Sequence, residues 1–196
     1  PWVGHPPTRN RGTVGGSIAN ADPSAEIPLV AVTLGADIEI ANTSDRTAMP
    51  ADEFFIGPML TAVMPGDCVC AVRFPRWRHA RVGTGFYEVS ARQSDFAFVA
   101  AAAQVALDDD GRCIEATLGL GGIGDRALRI DVSALVGRAR SEAATTDVVR
   151  AATKDLEASS DLHASASYRR RVAATLVTRA LGDACAEAGG ERGAGQ

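Results

Sequence analysis

The stretch DFAFVAAAAQVALDDDGRCIEATLGLGG, residues 95–122, constrains the fold of this 196-residue chain more than any other. Two apolar runs flank a DDDG segment, and Asp108–Gly111 supply the polar and glycine residues of a tight turn, so the whole reads as a β-hairpin. GFYEVS before it and ALRIDV after it read as further strands. Helical patterns follow over residues 133–140, 145–157 and 165–188. The last sets Val172, Leu176, Ala180 and Ala184 on one stripe, with Ser165 or Ser167 as its cap. The second half is therefore expected to be a small antiparallel sheet followed by helices, an α+β arrangement.

The first half is punctuated differently. Residues 1–12 are rich in Pro, Gly and Arg and read as extended chain, followed by a turn at Gly15-Gly16. DPSAEIPLVAVTLGAD reads as a short helix capped by Asp22, with Pro23 at its first position and Gly35 at its end; Pro28 should kink it or split off its first turn. ADIEIAN alternates like a strand with Ile38 and Ile40 on one face. PADEFFIG suits a short helix, and DCVCAVRFP another strand. The basic, Pro- and Gly-punctuated RFPRWRHARVGTG marks a boundary between two lobes.

Composition narrows the function classes. A net charge of −4 argues against bulk attraction to nucleic acid or acidic membrane surfaces. No apolar run approaches the roughly 20 residues of a membrane span, and no secretory signal is visible. Cys68, Cys70, Cys113 and Cys185 have no framework spacing. Cys68 and Cys70 fall on one strand face and read as buried free thiols, which suits a reducing, cytoplasmic setting rather than a metal or cluster site.

Several motifs carry less than they promise. GLGGIG, residues 119–124, matches Gly-x-Gly-x-x-Gly, but it follows the second arm of a hairpin and precedes an extended segment, so it reads as a turn at a sheet end. Arg73, Arg76, Arg78 and Arg81 beside Trp77 and His79 form a basic patch that suits a linker or subunit contact better than nucleic acid. Tyr168–Arg171 likewise reads as a docking helix face. DDDG lacks the other ligand positions of a calcium loop. His5, His79 and His163 are scattered, and no catalytic acid, base, nucleophile or metal set assembles. Any redox chemistry must then come from a cofactor. TVGGSIANADPSAE offers a place for one: glycines that admit a ligand to the backbone, Ser17 and Asn20 as neutral hydrogen-bonding groups, and Glu26 as an acceptor for sugar-type hydroxyls. On the residues alone a plain turn remains the commoner use of such a stretch.

HPPTRNRGTVGGSIANADPSAEIP resembles the second flavin-binding segment of the FAD-binding medium subunits of molybdenum hydroxylases, the carbon monoxide dehydrogenase and xanthine dehydrogenase flavoprotein family. FFIGPMLTAVMPGDCVCAVRFP, GFYEVSARQSDFAFVAAAAQV, LGLGGIGDRALRI and SASYRRRVAATLVTRAL resemble later family segments, in the family's order, over roughly residues 3–185. The resemblance implies the second lobe of a PCMH-type FAD-binding domain (residues 1–76), a C-terminal domain of antiparallel sheet plus helices (82–188) and a disordered tail (189–196). It implies FAD contacts at Thr13, Val14, Gly15, Gly16, Ser17, Asn20, Asp22 and Glu26, and a backbone contact at Val69. It also implies an electron-transfer role in a dimer of heterotrimers, with molybdopterin in a large subunit and 2Fe-2S clusters in a small one. The family's earlier lobe, with its own glycine-rich loop, has no counterpart here, so the chain is expected to be the later two-thirds of such a subunit, consistent with Pro1. Some members carry a lysine near the flavin where this chain has Glu88, and a carboxylate there disfavours an anionic reduced flavin. The alternatives are a cofactor-free fragment that only docks on the other subunits, and nucleic-acid binding through Arg73–Arg81.

Overall fold

The computed structural model describes residues 2–92, 94–139 and 142–191, with residues 142–144 described by their backbone alone. Its elements run α1 (Pro6–Arg11), α2 (Val14–Asn20), α3 (Glu26–Leu34), β1 (Asp37–Ala41), β2 (Arg46–Pro50), α4 (Ala51–Phe54), β3 (Phe55–Gly57), β4 (Leu60–Thr61) and β5 (Cys68–Arg73). They continue with β6 (Arg81–Ser90), β7 (Ala97–Leu107), β8 (Cys113–Gly121), β9 (Leu128–Ile130), a 3₁₀ turn (Ser133–Leu135), α5 (Glu142–Thr153) and α6 (Ala166–Ala188). The mixed α/β architecture with antiparallel sheets agrees with the α+β expectation.

The hairpin organises the second half. β6, β7, β8 and β9 form a four-stranded antiparallel sheet in sequence order. β7 is apolar at every position but Gln104 because both its faces are covered. Val99, Ala101, Ala103 and Val105 face α6, whereas Ala100 and Ala102 join the core built around α3. Both helices reach the sheet closely because glycine stands where they touch it. A Cβ on Gly85 would lie 2.0 Å from the Ala180 carbonyl of α6, and one on Gly119 would lie 2.0 Å from Thr33 Oγ1 of α3. The expected turn is present: Gly111 adopts a φ of 75°, Asp108 N–H donates to the Arg112 carbonyl, and the Asp108 carboxylate accepts Arg112 N–H. GLGGIG ends β8 and turns at Gly122, whose φ is 69°.

In the first half, β2-β1-β5 form a three-stranded antiparallel sheet whose inner face, Ile38, Ile40, Val69 and Val72, packs with Ile18 and Phe54. Its outer face holds Glu39, buried beneath Arg46 and Arg73, whose guanidinium groups keep its carboxyl below the ordinary range. The two halves also touch directly. Arg126 donates to the carbonyls of Asp52 (3.2 Å) and Phe55 (2.6 Å), and Gly122 N–H to that of Pro23 (2.7 Å).

Several expectations need correction. Residues 6–11 are helical rather than extended, because Pro6 and Pro7 fall at the first helical positions, where a missing N–H costs nothing. The paired glycines are not a turn: Thr13 caps α2, and the chain reverses only at Ala21, with φ 52°. α3 starts at Glu26, not Pro23; Asp22 instead accepts Ser24 N–H at 2.8 Å, and Pro28 sits inside the first helical turn. Gly35 ends it as expected.

Cys68 and Cys70 are exposed rather than buried. Ile40 pairs with Val69 and Glu39 with Ala71, leaving Cys70 as the extra residue of a β-bulge on an edge strand, which breaks the simple alternation. The helix expected over 133–140 is only the 3₁₀ turn, and that over 145–157 starts earlier and ends at Thr153. The last helix forms as expected, capped by Ser165, with Leu176, Ala180 and Ala184 buried. Of the expected disordered tail, Gly189–Glu191 bond back onto the end of α6, and residues 192–196 lie outside the described residues.

Candidate cofactor site

The site is built where α2 lies against β5. Ile18 is fully buried and anchors α2, while Val14 stands 51% exposed on its outer side. Thr13 Oγ1 accepts Gly16 N–H at 2.9 Å, and the Thr13 carbonyl accepts Ser17 N–H at 3.1 Å. The N–H groups of Val14 and Gly15 precede any possible helical acceptor and are left for another partner. Gly15 faces β5, where a Cβ would lie 3.7 Å from the Val69 carbonyl. Val69 and Gly15 thus lie side by side, whereas a Cβ on Gly16 would press to 2.9 Å from the capping oxygen of Thr13. The side chains of Ser17 and Asn20 make no hydrogen bond among the described residues, and Asn20 is exposed.

Beyond α2 the chain turns under this surface and presents acids. Asp22 and Glu26 are both half-buried. Burial raises the Glu26 carboxyl above its ordinary range, with the charge of Asp22 adding, against the opposing pull of the Glu26 and Gly4 N–H groups. The neighbouring strand adds Glu88, which the sequence placed near the flavin only through the family resemblance, and Phe86, which sequence reasoning missed. Phe86 and Glu88 alternate onto the α3 side of β6; the Phe86 ring meets Trp2 at 5.4 Å, and Glu88 senses the charge of Glu26. The i, i+2 spacing was legible, but not which face would meet α3.

The remaining motifs are occupied elsewhere. Arg73 pairs with Glu39, Arg81 holds the carbonyls of Asp108 and Ala188, and His79 Nε2 lies 2.7 Å from Glu115. Tyr168–Arg171 contributes Arg169, which is buried and bonds the carbonyls of Phe98 and Gly122 and the carboxylate of Asp161. His163 stacks on Phe98. No helix among the described residues is long and apolar enough to cross a membrane.

Backbone N–H groups without helical acceptors, paired glycines and half-buried acids are suited to a phosphate- and sugar-bearing group. Residues 1–77 match the family described as the FAD binding domain in molybdopterin dehydrogenase, and residues 85–184 that described as the CO dehydrogenase flavoprotein C-terminal domain. The chain belongs to this flavoprotein family. It is 34% identical to the 6-hydroxypseudooxynicotine dehydrogenase complex subunit alpha of Paenarthrobacter nicotinovorans, over 93% of this chain and 62% of that protein. It is 31% identical to the carbon monoxide dehydrogenase medium chain of Afipia carboxidovorans, over 95% of this chain and 65% of that one. Among solved structures, quinoline 2-oxidoreductase from Pseudomonas putida 86 superposes with a TM-score of 0.88 at 33% identity, covering 95% of this chain and 65% of that one. The chain therefore spans less than two thirds of the length of these relatives.

The residues present fit FAD. Gly15 and Gly16 add no side chain to the first turn of α2, and Ser17 and Asn20 are unengaged polar groups.

Proposed function

We propose that this chain is the FAD-binding part of an electron-transfer subunit in a molybdenum-containing hydroxylase or dehydrogenase. The subunit passes electrons from iron–sulfur clusters to an external acceptor. The supporting observation is the open face of α2, where Gly15 sits against the Val69 carbonyl beside unengaged Ser17 and Asn20. Thr13, Val14, Gly15, Gly16 and Ser17 hold the cofactor mainly through backbone groups, with Asn20 and Asp22 at the end of α2 and Val69 opposite. Glu26 accepts from its hydroxyls. FAD, when bound, supplies the redox chemistry, and none of the chain's own side chains acts as a catalytic group.

In this reading residues 1–76 are the second lobe of the FAD-binding domain and residues 82–188 a C-terminal domain. The partners are a large molybdopterin-binding subunit and a small 2Fe-2S subunit in a dimer of heterotrimers, in the cytoplasm. The basic stretch of residues 73–81 is a contact surface, not a nucleic-acid site.

The test is flavin retention by the protein alone and co-expressed with its partner subunits. Yellow protein is expected in the complex, with retention lost in Gly15→Leu. A Cβ at Gly15 meets only ordinary contacts, 3.7 and 4.0 Å from Val69, and the urea midpoint of Gly15→Leu, read beside Gly15→Ala, separates loss of flavin from loss of fold. A complete complex without flavin, or one whose flavin is indifferent to Gly15→Leu, overturns the assignment.

A further inference from the structure

Glu88 stands out from every other acid among the described residues. Its Oε2 is sealed from solvent and has no hydrogen-bond partner. It lies on β6 opposite Ala100 of β7, so the neighbouring strand offers it neither donor nor charge. From α3, the group that faces it is Glu26, a second acid. Asp22, in the turn before α3, adds a third negative charge near Glu26. The N-terminal segment crosses above: Trp2 rests on Phe86, two residues from Glu88, and Arg9 of α1 spends its guanidinium on the carbonyls of Val3 and Gly4 rather than on either acid.

A buried carboxylate without a donor is costly, and a second carboxylate beside it makes matters worse. The arrangement is relieved when one of the two carries a proton. Burial, with Glu26 second, pushes the Glu88 carboxyl up to about 7, so Glu88 is the member that holds it. Glu26 then stays free to accept from a ligand.

Resting on the reading of this site as an FAD cradle, we propose that Glu88 is a positioning residue for the cofactor: the proton it holds lets Glu26 stand as a single anionic acceptor, and its loss weakens cofactor retention. With both carboxylates charged, a second negative charge stands beside the acid that accepts from the cofactor, and the two repel. Phosphate contacts at α2 alone carry no such dependence on Glu88.

Two measurements test this in the full protein. In the cofactor-free protein labelled with ¹³C at glutamate carboxyls, the Glu88 resonance is expected to titrate near 7, and to shift downward in Glu26→Gln. A Glu88 midpoint in the ordinary carboxylate range, or one indifferent to Glu26→Gln, overturns the proposal. In parallel, FAD affinity is followed across neutral pH by flavin fluorescence. The Kd is expected to rise, at most about tenfold per pH unit for a single linked proton, and to become flat in the near-isosteric Glu88→Gln. FAD binding with the same pH profile in both proteins overturns the proposal while leaving the cofactor reading intact. Absence of FAD binding at every pH, in both the chain and the assembled complex, removes the cofactor reading and the proposal with it. The carboxyl titration still reports whether the acids are coupled.

Discussion

Glu88 also carries a consequence for the folded chain that needs no cofactor. Its carboxyl is raised from an ordinary 4.5 to about 7, so between those values the folded protein holds a proton that the unfolded chain releases. Its contribution to stability is fully present below the unfolded value and is lost as pH rises through the folded one. Chemical denaturation at a series of pH values should therefore show stability declining over that window, and Glu88→Gln should flatten that part of the curve. An unchanged slope in the variant would mean that Oε2 finds a donor in solution. Asp161 works in the opposite sense: the N–H groups of Ala164 and His163, then Arg169, hold its carboxyl down at about 2, so its contribution persists until strongly acidic pH.

Among the elements, α6 depends most on a single side chain. Arg169, in its first turn, reaches past Asp161 to bond the carbonyls of Phe98 and Gly122, tying the helix to the ends of β7 and β8. Arg169→Met keeps the length of the side chain but leaves buried carbonyls without donors, and should cost about 2–4 kcal/mol. Urea unfolding read against exposed Arg170→Met, expected to change stability by less than about 0.5 kcal/mol, separates this from a general loss of charge. Elements with a strong period were legible in the chain: the β7–β8 hairpin, Ile38 and Ile40 of β1, and the stripe and cap of α6. α1 and α2 were not, because Pro, Gly and small polar residues favour loops locally. The burial of Ile18 and the cap from Thr13 reverse that preference for α2. The glycine-rich half of the site could be located in the sequence, whereas the meeting of Glu26 and Glu88 could not. It exists only because α3 settles on the same sheet face to which β6 directs Phe86 and Glu88.

At the scale of the whole molecule, the sheet of β6–β9 is shared: α6 covers one face and α3 the other, so the two halves of the chain have no independent cores along β7. The boundary legible at residues 74–80 is a connection without regular secondary structure, yet the contacts of Arg126 and Gly122 cross between the halves. The bulge at Cys70 has a practical outcome for the intact protein. It turns two thiols outward on the strand whose Val69 carbonyl meets α2, while Cys113 lies buried with its thiol pushed up to about 11. A maleimide dye should therefore modify Cys68 and Cys70 quickly, Cys185 slowly and Cys113 only after unfolding, as peptide mass mapping would show. A fluorophore attached there sits at the rim of the cradle, giving the protein a built-in optical reporter of whatever enters it.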